Sequence, residues 1–79
     1  MHPPLENIID LVVTELLHAQ KEFDPMYSRH EGLAIIREEY LELEHEVFHG
    51  DAMRAHHEAK QLAAMAIRFM LDLYDGGDK

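Results

Sequence analysis

Apolar residues recur every three or four positions along three stretches of this chain, and each stretch reads as an amphipathic helix. In the first, Leu5, Ile8, Ile9, Val12, Leu16 and Leu17 form the stripe. Pro4 suits a first helical turn, because the N–H it lacks is one that a helix start leaves unpaired anyway. Asp24-Pro25 should end this helix near Phe23, since the residue before a proline is pushed out of helical backbone. Ser28-Arg29-His30-Glu31 is a capping-box pattern and marks the start of a second helix. Its stripe is heptad-like: Leu33, Ile36, Tyr40, Leu43 and Val47. Gly50 ends it as a C-terminal cap, and Asp51 is a good N-cap for a third helix. That helix turns Ala52, Ala55, Ala59, Leu62, Ala63, Ala66, Ile67, Met70 and Leu73 inward and stops at Gly76-Gly77. Helices over about 4–23, 29–49 and 52–74 are therefore predicted, the last roughly 35 Å long. A turn of about two residues makes the second and third antiparallel neighbours. No strand and no internal repeat is visible, so the expectation is one all-α domain of three helices.

Length and composition change that picture in one respect. A chain of 79 residues buries only about 60% of its unfolded-state surface, and a lone core of this size supplies roughly 3–5 kcal/mol. Cysteine is absent, so neither a disulfide nor a cysteine-based zinc site can reinforce it. Yet 47% of the residues are apolar. The expected resolution is self-association, with a homodimer or homotetramer completing the helical bundle.

Charge narrows the partners. Sixteen acidic residues against seven basic ones give a formal net charge of −9. A surface of that sign repels nucleic-acid backbones and anionic lipid unless a metal intervenes. No apolar run approaches the ~18 residues of a membrane span, and Met1-His2-Pro3-Pro4-Leu5-Glu6 lacks the basic region of a signal peptide. The reading is a cytoplasmic protein with neither nucleic acid nor membrane as a partner.

The carboxylates carry the chemistry. At 100° per residue, Glu39, Glu42 and Glu46 cluster about 80–140° from the centre of the second helix's stripe, with Glu38 beyond Glu42. On the third helix Glu58 shares its side with Leu62, Met65 and Phe69, so it sits beside apolar groups. Glu42 and Glu58 flank the turn at His49-Gly50 by seven and eight residues, and antiparallel pairing sets them at nearly one height. Glu39, Glu42 and Glu58 can then converge on a hard divalent cation, which in turn can bind phosphates. The competing reading is ordinary surface charge, which glutamates on helices usually are.

Glu38-Glu39-Tyr40-Leu41-Glu42, followed by Glu58-x-x-Gln61, resembles the MazG-like all-α nucleoside triphosphate pyrophosphohydrolases, whose signature is E-E-x-x-E and then E-x-x-D. The flanks are similar to small members as well: His30-Glu31-Gly32-Leu33-Ala34-Ile35-Ile36-Arg37 before the first motif, and Gln61-Leu62-Ala63-Ala64-Met65-Ala66-Ile67-Arg68-Phe69 around the second. The resemblance covers about residues 28–74. It implies a bundle completed by a second subunit and hydrolysis of a nucleoside triphosphate between its α- and β-phosphates. It implies magnesium, with manganese as a substitute, held by Glu39, Glu42, Glu58 and Gln61, and Glu38 as the base for the attacking water. Gln61 departs from the family's aspartate: it offers the ion a neutral oxygen and no charge. A non-catalytic helical interaction module of the same fold is the alternative that Gln61 favours. A phosphoribosyl-ATP hydrolase of the same superfamily would call for a basic surface, which this chain lacks.

Rival signals are weaker. His45-Glu46-Val47-Phe48-His49 matches the H-E-x-x-H of zinc hydrolases, but a chain rich in histidine and glutamate matches it by chance, and Gly50 ends the helix at once. His56 or His57 would have to be the third ligand. Met65 and Met70 read as core rather than as a binding groove. Tyr40 reads as core, and Phe48 and Phe69 as candidates for an interface or a base pocket. Arg68 and Lys60 read as phosphate contacts or solvated charges.

Overall fold

A computed structural model describes residues 3–75. Three helices follow in order: α1 (Leu5–Glu22), α2 (Arg29–His49) and α3 (Ala52–Asp72). No strand occurs among the described residues, so the all-α expectation holds. The ends follow local chemistry. Pro4 is the N-cap of α1 and Phe23 its C-cap, each one residue outside the helix. Ser28 caps α2, its hydroxyl accepting from Glu31 N–H at 3.1 Å, while the Glu31 carboxylate accepts from Tyr27 N–H at 2.9 Å. Asp51 caps α3 by accepting from Arg54 N–H at 2.9 Å. Each such cap satisfies a donor that the first turn would otherwise leave bare. α3 ends at Asp72, with Leu73 as its C-cap. Gly76-Gly77, expected to stop it, lie outside the described residues, as do Met1 and His2 of the N-terminus.

α3 is the central helix. α2 packs against it along one side and α1 along another, and no Cα of α1 comes within 8 Å of α2. The core is correspondingly small: Leu16 and Ala19 of α1 meet Ala64 and Met65 of α3, with Val12, Ile35 and Ile36 packed around them. Small residues set the spacing. Ala64 is wholly buried. A Cβ on Gly32 would sit 2.8 Å from Phe69 Cε2, so glycine lets α2 approach α3 closely at this end.

The connection between α1 and α2 is clamped onto α3 by Arg68, which the sequence suggested was a phosphate contact or a solvated charge. It is instead buried, with 4% of its surface exposed. Its guanidinium donates to the Asp24 carbonyl, pairs with Asp72 at 3.5 Å and lies 5.7 Å from the centre of the Phe23 ring. Asp72 also accepts from Met26 N–H at 2.9 Å, so Arg68 and Asp72 fasten the first part of the turn, at Asp24 and Met26. Lys60 is engaged too, pairing with Glu15 at 3.8 Å and tying α3 to α1.

Several residues expected in the core are exposed in the single chain. On α1 these are Leu5, Ile9 and Leu17. On α2 they are Leu33, Tyr40 and Val47, and on α3 Ala52, Ala59, Ala66, Ile67 and Met70. The physical reason is rotational. The line of α2 that packs on α3 runs through Gly32, Ile35, Ile36, Glu39, Leu43 and Glu46, not through the most apolar stripe. No helix among the described residues is long and apolar enough to cross a membrane.

Candidate metal centre

That rotation creates the site. Near the start of α2 its contact with α3 is apolar. Toward the hairpin turn the same line carries Glu39 and Glu46, and α3 answers with Glu58. One carboxylate oxygen each from Glu39, Glu42 and Glu58 lies within 4.8 Å of the others, the only grouping of three or more such ligands among the described residues. Oxygens bound to one cation at 2.0–2.6 Å are separated by at most about 4–5 Å, so the spread suits a single hard ion. Glu42 is exposed, whereas Glu39 and Glu58 are half-buried.

The electrostatics are those of crowded acids. Burial, then the charges of Glu42, Glu58 and Glu38, push the Glu39 carboxyl up from 4.5 to about 7. Glu58 is raised as well, first by burial and then by its hydrogen bond to Glu42 and the charges of Glu42 and Glu46, against an opposing pull from His57. Glu42 thus contributes to the rise of both. The Oε2 atoms of Glu39, Glu46 and Glu58 are nevertheless buried without a hydrogen-bond partner. Unpaired buried acceptors are costly, and a cation among them removes that cost.

A pH signature follows. Glu39 binds its proton more tightly in the folded chain than in the unfolded one. Its contribution to stability is therefore present below about pH 4.5 and is lost as pH rises through about 7. Discounted for solvent screening, about 1–2 kcal/mol is at stake, a fall in Tm of roughly 4–8 °C or more for a domain of this size. Thermal melts in chelator should show that fall for the wild type and not for Glu39→Gln. Added magnesium should reverse it above pH 7.

The other residues singled out in the sequence lie as follows. Glu38 is exposed and shares with Glu39, Ile35, Phe23 and Arg68 the wall of a cavity of about 360 Å³. Gln61 is half-buried one turn beyond Glu58, and its amide nitrogen lies 3.4 Å from His57 Nε2. The His45 and His49 rings lie 5.1 Å apart, tilted by 41°, on the exposed last turn of α2, and no third ligand joins them among the described residues. Tyr40 is 51% exposed, its hydroxyl donating to Glu44. Met65 is core but Met70 is exposed; Phe48 is exposed and Phe69 lies beneath Gly32.

Three residues outside the expected ligand set also border the site. Glu46 borders the trio, lining a second cavity with Glu42, His45 and Glu58. Its carboxylate folds over Gly50, where a Cβ would collide with it. The step from 39 to 42 to 46 was the available signal, since those positions share one helix face. Phe23 and Arg68 are the other two, and only the fold brings them to Glu39. Comparison with family models, with curated proteins and with solved structures finds no match to this chain.

Proposed function

We propose that this chain is a magnesium-dependent nucleoside triphosphate pyrophosphohydrolase of the MazG-like all-α kind, releasing a nucleoside monophosphate and pyrophosphate. The observation that carries this reading is the convergence of Glu39, Glu42 and Glu58 within 4.8 Å, with oxygens of Glu39 and Glu58 buried and unpartnered. An all-oxygen, strongly anionic donor set fits magnesium, or manganese in its place, and not a thiophilic metal. Magnesium bound there would neutralise the triphosphate, which a chain of net charge −9 otherwise repels, and would acidify a bound water. Glu38 is the chain's own candidate base, exposed beside Glu39 at the cavity rim and free to take a proton from the attacking water. The cavity of about 360 Å³ lies within the range of small-molecule sites and gives the nucleoside a place next to the carboxylates. The test is pyrophosphate release across a panel of ribo- and deoxyribonucleoside triphosphates with magnesium; no turnover with any of them refutes the proposal.

One observation favours the second reading, a non-catalytic module with a degenerate site. Gln61 is placed against His57, in the position where the resembling family has a charged ligand. Gln61→Asp is expected to tighten magnesium binding by about tenfold in calorimetric titration, because it adds one charge to the donor set. Unchanged affinity would put residue 61 outside the ion's reach.

A further inference from the structure

We infer that the cavity beside Glu39, on the reading that this chain is a pyrophosphohydrolase, selects nucleotides whose base carries an exocyclic amino group. Adenine, cytosine and guanine are accepted, and uracil, thymine and hypoxanthine are disfavoured. The cavity, of about 360 Å³, follows α2 from Glu38 and Glu39 back to Glu31, with Phe23 and Asp24, just past α1, as a further wall. Seven positions separate Glu31 from Glu38, about 10 Å along the helix. That matches the reach of a nucleoside from its α-phosphate to the far edge of its base. Phosphates held at the metal end therefore carry the base toward Phe23, Asp24 and Glu31. Phe23 is 62% exposed, so its ring is open to stacking. Stacking on an aromatic ring holds any base without choosing among them.

The choice falls to the polar groups. Asp24, Glu31, Glu38 and Glu39 all line the cavity, and all are carboxylic acids. The one donor side chain among the described lining residues is Arg68, and its guanidinium is already engaged by the Asp24 carbonyl and by Asp72. Glu39 faces the metal and Glu38 the attacking water, which leaves Asp24 and Glu31 for the base. Tyr27 N–H donates to one Glu31 oxygen at 2.9 Å and holds that carboxylate in place. An ionised carboxylate only accepts, so it pairs with the N4 amino group of cytosine, the N6 amino group of adenine or the N2 amino group of guanine. Uracil, thymine and hypoxanthine set a carbonyl oxygen where cytosine and adenine carry that group, and two facing acceptors repel. Asp24 and Glu31 are exposed, so water softens the mismatch. The discrimination therefore sits toward the lower end of what such a pair gives, about tenfold.

Matched substrates test this, because CTP and UTP, or ATP and inosine triphosphate, differ in that amino group and the ring nitrogen beside it. With magnesium, kcat/KM should favour CTP over UTP, and ATP over inosine triphosphate, by about tenfold. Asp24→Asn combined with Glu31→Gln replaces two pure acceptors by amides that also donate, and should level both preferences. Glutamine still serves the capping box at residue 31, and circular dichroism checks that the helices remain. Equal kcat/KM within the pairs, the opposite preference, or a preference that the double variant leaves intact overturns the proposal. Saturation-transfer NMR with free cytidine and uridine, without metal, asks the same question without turnover. Cytidine should bind more tightly than uridine, and Phe23→Leu should weaken it at least about fivefold by removing the stacking ring. No cytidine binding, equal binding of the two, or binding indifferent to Phe23→Leu overturns the proposal as well. If no nucleotide is turned over, the pyrophosphohydrolase reading fails, and the nucleoside affinities decide the preference of the cavity on their own.

Discussion

Glu42→Gln is expected to lower magnesium-dependent pyrophosphate release at least about 100-fold while leaving the metal-free fold as stable as before, or slightly more so. The magnitude rests on the residue's place in the donor set. Loss of a group that merely supports a ligand typically costs 10–100-fold in metal affinity or activity, and Glu42 is a candidate ligand itself. The stability side rests on its surroundings. Glu42 is exposed and contributes to the upward push on both Glu39 and Glu58. A glutamine keeps the shape, removes one of the crowded charges and adds an amide N–H that can donate to a neighbouring carboxylate. Activity assays and metal-free thermal melts on the same preparation separate the two effects. A variant that loses activity only because it unfolds would show that Glu42 is structural; one that retains full turnover would remove the trio from the reaction.

The helices and their ends were legible in the sequence because they depend on neighbours a few residues apart. Ser28, Asp51 and the Asp24-Pro25 step act within one turn of chain, and no distant contact overrides them. Convergence of the carboxylates was legible for a related reason: a short hairpin fixes the height of Glu42 against Glu58. What the sequence misassigned is rotation. The stripe through Leu33, Tyr40 and Val47 is the most apolar line on α2, yet in the single chain Glu39 and Glu46 face α3 instead. Helical periodicity identifies an apolar face without identifying what covers it. Arg68 was illegible for the opposite reason. Nothing within a few residues of it shows that the turn at Phe23 and Asp24, far away in sequence, folds back over its guanidinium.

Arg68→Ala is expected to destabilise the fold by about 3–5 kcal/mol, the range for breaking a buried ion pair by removing one partner. That loss is comparable to the whole stability a lone core of this size supplies, so the variant should be largely unfolded at room temperature by circular dichroism and urea titration. The reasoning follows the contacts. The side chains of Arg68 and Asp72 are 5% and 12% exposed, so truncation strands a buried carboxylate whose remaining partner here is Met26 N–H. The same change frees the Asp24 carbonyl and removes the cation beneath Phe23. The turn joining α1 to α2 then loses its hold on α3, and because Arg68 and Phe23 line the cavity beside Glu39, the pocket loses its wall with it. Arg68→Met combined with Asp72→Asn removes both charges and fills more of the space, so it should recover a large part of the loss. If Arg68→Ala melted within a degree or two of the wild type, the clamp would not be what fastens the turn. If instead it folded normally but lost nucleotide turnover alone, Arg68 would belong to the phosphate-binding machinery that its burial and its engaged guanidinium argue against.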